Sequence, residues 1–219
     1  MSASVDAAAA AASVAVAISA VSDALLIVDM QNDFLLADAP LLVTGGAALV
    51  DGINAISAAL PFRCQVASQD WHPTHHCSFA EQGGPWPPHC RRGSAGAELH
   101  AALITSHVSA VVRKGTSVQA DSYSAFMDTN GTATGLEGLL RSCGVQRVFV
   151  CGVALDYCVH ATAMDARKCG FAVVVLEDLT AAVDDAAWPA RTAELAEAGV
   201  AVLPSTALVA ESGDGARQT

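Results

Sequence analysis

RVFVCGVALDYCVHATAMDA, Arg147 to Ala166, joins an apolar run to a helical pattern across a short turn. The opening run, RVFVCG from Arg147 to Gly152, reads as a strand buried on both faces. From Cys158 to Cys169 the pattern is helical, and Gly170 closes it. Cys158 then stands on the first turn of a helix at the carboxyl end of a strand. The unpaired N–H groups and the positive dipole end found there favour the thiolate, the reactive form of cysteine. Cys158 is therefore a candidate nucleophile.

The same alternation extends in both directions. Upstream lie the apolar runs Ala24 to Val28, Cys64 to Ser68 and Val108 to Val112, and downstream lie Phe171 to Leu176 and Val200 to Leu203. With Arg147 to Cys151 they make six strands. Between them the spacing predicts helices over Gly45 to Leu60, Ala95 to Ile104, Gly135 to Cys143 and Trp188 to Ala198. Solidly apolar strands alternating with helices imply an α/β fold, a three-layer α/β/α arrangement around a six-stranded, mostly parallel sheet. Residues 23–210 make one such domain. Residues 1–22 read as an Ala-rich arm, low in complexity, and Val14, Val16 and Ile18 alternate as a short docking strand would. Residues 211–219 read as a polar, disordered tail.

Sheets of this kind bind ligands beyond the carboxyl ends of their strands. Read strand by strand, that edge receives Asp29 in VDMQNDF, then Asp70 and His72 in DWHP, then Lys114 in VVRKGT, then Cys158. Asp29 reads as a turn former or as a general base for the thiol. Lys114 reads as a surface residue or as the group that holds Asp29 and stabilises developing negative charge. Residues i and i+2 at a strand end point the same way, so Asp70 and His72 can reach one cation. His76 and His89 follow, with His75 as a substitute for His76. A carboxylate with two or three imidazoles suits Zn²⁺ first, and Fe²⁺ or Mn²⁺ as alternatives. Cys77 and Cys90 adjoin these histidines, which leaves a closed structural zinc site open as an alternative. Phe34, Trp71, Trp86, Tyr123 and Tyr157 fall in the strand-end loops of a chain with only 5% aromatics. They read as walls for a flat ring or as packing under loops.

Composition narrows the partners. The net charge is −11 and no Lys or Arg precedes Arg63. Nucleic acid and anionic membrane both need basic patches, so neither is expected as a partner. The seven cysteines are odd in number and several fall in strands. They read as reduced thiols, and the chain as cytoplasmic. Self-association into a homo-oligomer is compatible with the apolar arm.

VDMQNDF, QDWHPTHHCSF, PWPPHC, KGT with DSYSAF, and GVALDYCV together resemble the nicotinamidase/pyrazinamidase family of isochorismatase-like cysteine hydrolases, over Ala24 to Pro204. The resemblance implies hydrolysis of nicotinamide to nicotinate and ammonia, a step of NAD salvage, and hydrolysis of pyrazinamide. It implies a triad of Asp29, Lys114 and Cys158, and one divalent metal on Asp70, His72 and His89, with His76 as a further ligand or near neighbour. It implies a cis peptide before Ala154, an oxyanion hole from the N–H groups of Ala154 and Cys158, and a ring pocket of Phe34, Trp86, Tyr123 and Tyr157. The chain departs from the family pattern at Leu155, where threonine is common, and in its Ala-rich beginning. The competing readings are a superfamily hydrolase acting on another small amide or a ureido acid, and a non-catalytic, zinc-stabilised binding module.

Overall fold

A strand that is apolar beyond its first residue must be covered on both faces, and β2 (Asp23–Val28, DALLIV) is buried at all six positions. It lies at the centre of a parallel sheet with β3 (Cys64–Asp70), β4 (Ala110–Lys114), β5 (Arg147–Val153), β6 (Ala172–Ala181) and β7 (Ala201–Leu203), in the order β4-β3-β2-β5-β6-β7. This computed structural model describes residues 15–211. Successive side chains leave a strand on opposite faces, and β2 divides accordingly. Leu26 and Val28 join the core under α3 (Leu136–Ser142), α4 (His160–Lys168) and α5 (Trp188–Glu197), through Leu140, Ala163 and Leu195. Leu25 and Ile27 join the opposite core with Leu35 of α1 (Asn32–Leu35) and Ile53 of α2 (Leu49–Ala59). The order places the chain reversal between β2 and β5, so their carboxyl ends open onto one crevice.

Four departures from the expected elements have local causes. No helix forms over Ala95 to Ile104; Ala95–Ala97 makes a single 3₁₀ turn, capped by Ser94. Beyond it the backbone is spent on the loop after β2. His100 N–H donates to the Met30 carbonyl at 2.8 Å, the Glu98 carbonyl accepts from Asn32 N–H, and Leu99 bridges Gln31. Second, β6 continues past Leu176 to Ala181, re-pairing with β5 after a register shift between Val150 and Gly152. Third, the helix around Cys158 starts earlier than its pattern suggests, in a π turn over Leu155–Val159 that precedes α4. Fourth, the alternation at Val16 and Ile18 is a real strand. β1 (Val16–Ile18) pairs in parallel with β8 (Leu208–Ala210), and Ile18 is fully buried. Residues 1–14 and the tail from 212 lie outside the described residues. Among the described residues no helix is long and apolar enough to cross a membrane.

Candidate active site

Register decides which side chains meet. β3 and β4 pair with Asp70 opposite Lys114. The Lys114 ammonium is 2.5 Å from Asp70 Oδ1 and 2.8 Å from Asp29 Oδ2, and its side chain is fully buried. It also donates to the Ser122 carbonyl at 3.0 Å and to Cys158 Sγ at 3.3 Å. Asp29 ends β2 with φ +49°, a left-handed turn that aspartate tolerates. Its Oδ1 accepts from Ser68 Oγ at 2.7 Å. That leaves Oδ2 turned toward Lys114 and the thiol. Asp29, Lys114 and Cys158, separated by more than 40 residues at each step, are thus brought into one buried cluster.

Cys158 lies in the π turn. Val159 N–H reaches back to the Ala154 carbonyl at 3.0 Å and His160 N–H to Leu155. Helix starts leave their first N–H groups unpaired, and Ala154 N–H, just ahead of the turn, has no backbone partner among the described residues. The Val153–Ala154 peptide is cis. Gly152 precedes it with φ +109°; a Cβ there would lie 2.2 Å from the Val28 carbonyl oxygen, so only glycine lets β5 approach β2 this closely.

The charges are strongly coupled. Burial pushes the Cys158 thiol well above its usual range; Lys114 opposes this, and the Asp29 and Asp70 carboxylates add to it. The helix start alone does not yield a resting thiolate here, because desolvation outweighs it and the proton must leave to a neighbour. Asp29 is that neighbour. Burial raises its carboxyl, Lys114 pulls it down and Asp70 pushes it up again, for a net rise. Burial works against the Lys114 charge, yet Asp29 and Asp70 hold its ammonium well above the ordinary lysine range. Burial also works against the Asp70 charge, and Lys114 with His72 outweighs it, so that carboxyl is held far below its ordinary range.

Asp70 Oδ2 faces the second cluster. His72 Nε2 is 3.5 Å away and His89 Nε2 3.9 Å away, all three residues being buried. His72 Nδ1 lies 3.0 Å from the Gly115 carbonyl and His89 Nδ1 2.8 Å from the Pro87 carbonyl. A carbonyl only accepts, so each Nδ1 carries a proton, and in the neutral ring each Nε2 presents a lone pair. Two lone pairs and a carboxylate oxygen converging in a buried space suit a divalent cation, with the carbonyls as the supports that orient histidine ligands. His76 is placed differently. Its ring stacks on His72 with centroids 4.0 Å apart, and both nitrogens are engaged, Nδ1 with Ser78 Oγ at 2.7 Å and Nε2 with the Ala120 carbonyl at 3.2 Å. It adjoins this cluster, and with His72 and Asp121 it forms a further group of metal-type donors. His75 is exposed, as is His107.

Both clusters open into one cavity of about 220 Å³. Phe34, Trp86, Tyr123 and Tyr157 line it with Asp70, His72, His89, Ala154 and Cys158. Trp86 Nε1 donates to Tyr123 Oη at 3.0 Å, and its ring meets Tyr157 edge-on at 5.0 Å. Trp71 does not reach the cavity; it packs under the Arg113 guanidinium at 3.8 Å.

Residues 23–207 match the model of the isochorismatase domain. The chain belongs to the isochorismatase family. This family member is 41% identical over 187 residues to the nicotinamidase/pyrazinamidase of Mycobacterium tuberculosis, covering 84% of this chain and 99% of that one. Among solved structures it is similar to PnC1 from L. infantum in complex with nicotinate, with 66% identity, a TM-score of 0.89, and coverage of 90% of this chain and 100% of that one. It is also similar to the pyrazinamidase of Pyrococcus horikoshii in complex with zinc, with 36% identity, a TM-score of 0.75, and coverage of 84% and 99%.

Three supports of the site escaped the sequence reading. Ser68 holds Asp29. The fully buried Gln31 mimics a strand neighbour of Asp70, donating to its carbonyl and accepting from its N–H, both at 2.8 Å. The Asp33 carboxylate accepts from Cys90 N–H at 2.7 Å, next to His89. Ser68 sits among Gln65, Gln69 and Asp70 in β3, so its polarity alone gave no signal. For Gln31 and Asp33 only proximity to Asp29 hints at a role.

Proposed function

We propose that this chain is a metal-dependent nicotinamidase, hydrolysing nicotinamide to nicotinate and ammonia and accepting pyrazinamide as well. The observation that carries the reading is that Cys158 and the Asp70, His72 and His89 donors line the same aromatic-walled cavity. A flat pyridine carboxamide needs that arrangement: ring walls, a group to hold the ring nitrogen, and a nucleophile at the amide carbon. The relatives act on or hold such molecules, which supports carrying the activity over.

Asp29 takes the thiol proton through Oδ2, the oxygen not held by Ser68, and Cys158 Sγ adds to the carboxamide carbon. The N–H groups of Ala154 and Cys158 receive the oxyanion. Lys114 keeps Asp29 in place and offsets the charge that develops on the sulfur. Protonated Asp29 then gives its proton to the departing ammonia, leaving a thioester on Cys158. Water, deprotonated by the same carboxylate, releases nicotinate. Asp70, His72 and His89 would hold the divalent ion, Zn²⁺ by their chemistry, and that ion would fix the ring through its nitrogen.

The test is ammonia release from nicotinamide and from pyrazinamide by purified protein of measured metal content. Release that requires Cys158 and scales with bound metal is the expected result. Protein loaded with Zn²⁺, Fe²⁺ or Mn²⁺ that releases no ammonia from either amide overturns the assignment.

A further inference from the structure

Asp156 lies two residues before the nucleophile, inside the π turn, and its side chain points away from the reacting groups. The residue is 8% exposed. Oδ1 accepts from Val183 N–H and Oδ2 from Asp184 N–H, each at 3.0 Å. Both partners belong to the loop after β6. That loop is anchored independently, since Thr180 and Ala181 pair with Gly152 and Val153 of β5, and Asp184 caps the turn that follows through Ala186 N–H. The loop is the fixed side of this contact and the π turn is the side being held. The backbone bonds at the ends of the turn run from Tyr157 and Val159 N–H to the Ala154 carbonyl, and from His160 N–H to the Leu155 and Tyr157 carbonyls. Leu155 and Val159 pack into the core on either side, and the Asp156 carboxylate adds the turn's two side-chain hydrogen bonds to the loop after β6.

We propose that Asp156 is a positioning residue for the reaction, a two-pronged brace that sets the π turn so that the Ala154 and Cys158 N–H groups and Cys158 Sγ address one carbonyl oxygen and carbon. This rests on the function proposed above. Because the brace acts on the turn, it serves the tetrahedral state more than the bound amide. A misplacement near 1 Å in such a constellation costs on the order of 100-fold in rate.

The experiment compares wild type with Asp156→Ala, Asp156→Asn and Val183→Ala. It measures kcat and KM for nicotinamide, and the affinities of nicotinate and of pyridine-3-carbaldehyde. The aldehyde accepts the thiol and presents an oxyanion-like oxygen, whereas nicotinate only occupies the cavity. Asp156→Ala is expected to lose about 100-fold in kcat, with KM and nicotinate affinity within a few-fold of wild type and aldehyde affinity falling alongside kcat. Asp156→Asn keeps one acceptor and is expected to recover part of both losses. It also carries the test if the alanine variant does not fold. Val183→Ala keeps its N–H on the brace, so it should leave the ratio of aldehyde to nicotinate affinity as in wild type, even though its side chain lines the cavity. Wild-type kcat in folded Asp156→Asn, or equal loss of aldehyde and nicotinate binding in either Asp156 variant, overturns the proposal. A wild-type protein that releases no ammonia refutes the parent function, and the aldehyde-against-nicotinate comparison still decides the brace.

Discussion

Substituting Gly115 by alanine tests the metal site through its backbone support. Gly115 follows Lys114 with φ +60°, and its carbonyl accepts from His72 Nδ1 at 3.0 Å. A Cβ built there would lie 2.4 Å from His72 Cε1 and 2.5 Å from Nδ1. Ordinary contact begins at 3.4 Å, so the imidazole must retreat by about 1 Å. It has little room, being stacked on His76 at 4.0 Å and set edge-on against Phe79 at 5.6 Å. Metal–ligand distances tolerate about 0.2 Å, so His72 Nε2 would leave its place beside Asp70. Disturbing the support of a histidine ligand costs about 10–100-fold in metal affinity, which is about 1.4–2.8 kcal/mol. Gly131→Ala is the control. It has φ +87° but nothing within 4 Å of its Cβ, so it bears only the left-handed penalty of about 1–2 kcal/mol in stability. The assay is competition for Zn²⁺ between metal-stripped protein and a chromogenic chelator. Wild-type affinity in Gly115→Ala, or an equal loss in Gly131→Ala, would refute the reasoning.

Cys158→Ala should abolish measurable ammonia release while leaving the circular dichroism spectrum unchanged; residual turnover near wild type would remove the nucleophile assignment. Lys114→Ala leaves Asp29 and Asp70 as neighbouring buried carboxylates without their cation. It should destabilise the fold by about 3–5 kcal/mol, read as a lowered urea midpoint, and an unchanged midpoint would contradict the charge account. Stripping the metal should lower the melting temperature reversibly. At a hundredfold excess over Kd a bound ion contributes about 2.7 kcal/mol, or about 5–10 °C for a domain of this size; re-addition without recovery would count against the site.

The sheet was readable because Ala24–Val28 of β2, Val148–Cys151 of β5 and Val173–Leu176 of β6 are apolar enough to admit only burial on both faces. The strand-end rule then named the residues that the structure brings to one crevice. What escaped was set by contacts distant in sequence. The segment at Ala95 has the composition of a helix, but Met30, Asn32 and Gln31 claim its backbone groups. The π turn was invisible because periodicity cannot tell an i→i+5 bond at Ala154 from the start of an α-helix. The expectation of a ready thiolate at Cys158 considered the helix end alone, whereas burial beside Asp29 and Asp70 outweighs it. His76 carried the right side chain for a ligand, and only its hydrogen bonds to Ser78 and Ala120 show that both nitrogens are occupied.

The pairing of β1 with β8 has a consequence for biosynthesis. Val16 meets Leu208, a residue made 192 positions later. At about 5–20 residues per second of translation, the strand around Ile18 waits roughly 10–40 s on the ribosome before its partner emerges. During that interval Val16 to Ile18 is an unclaimed edge, open to chaperones and to neighbouring nascent chains. Only when Leu208 to Ala210 has left the ribosome can Val16 to Ile18 close against it.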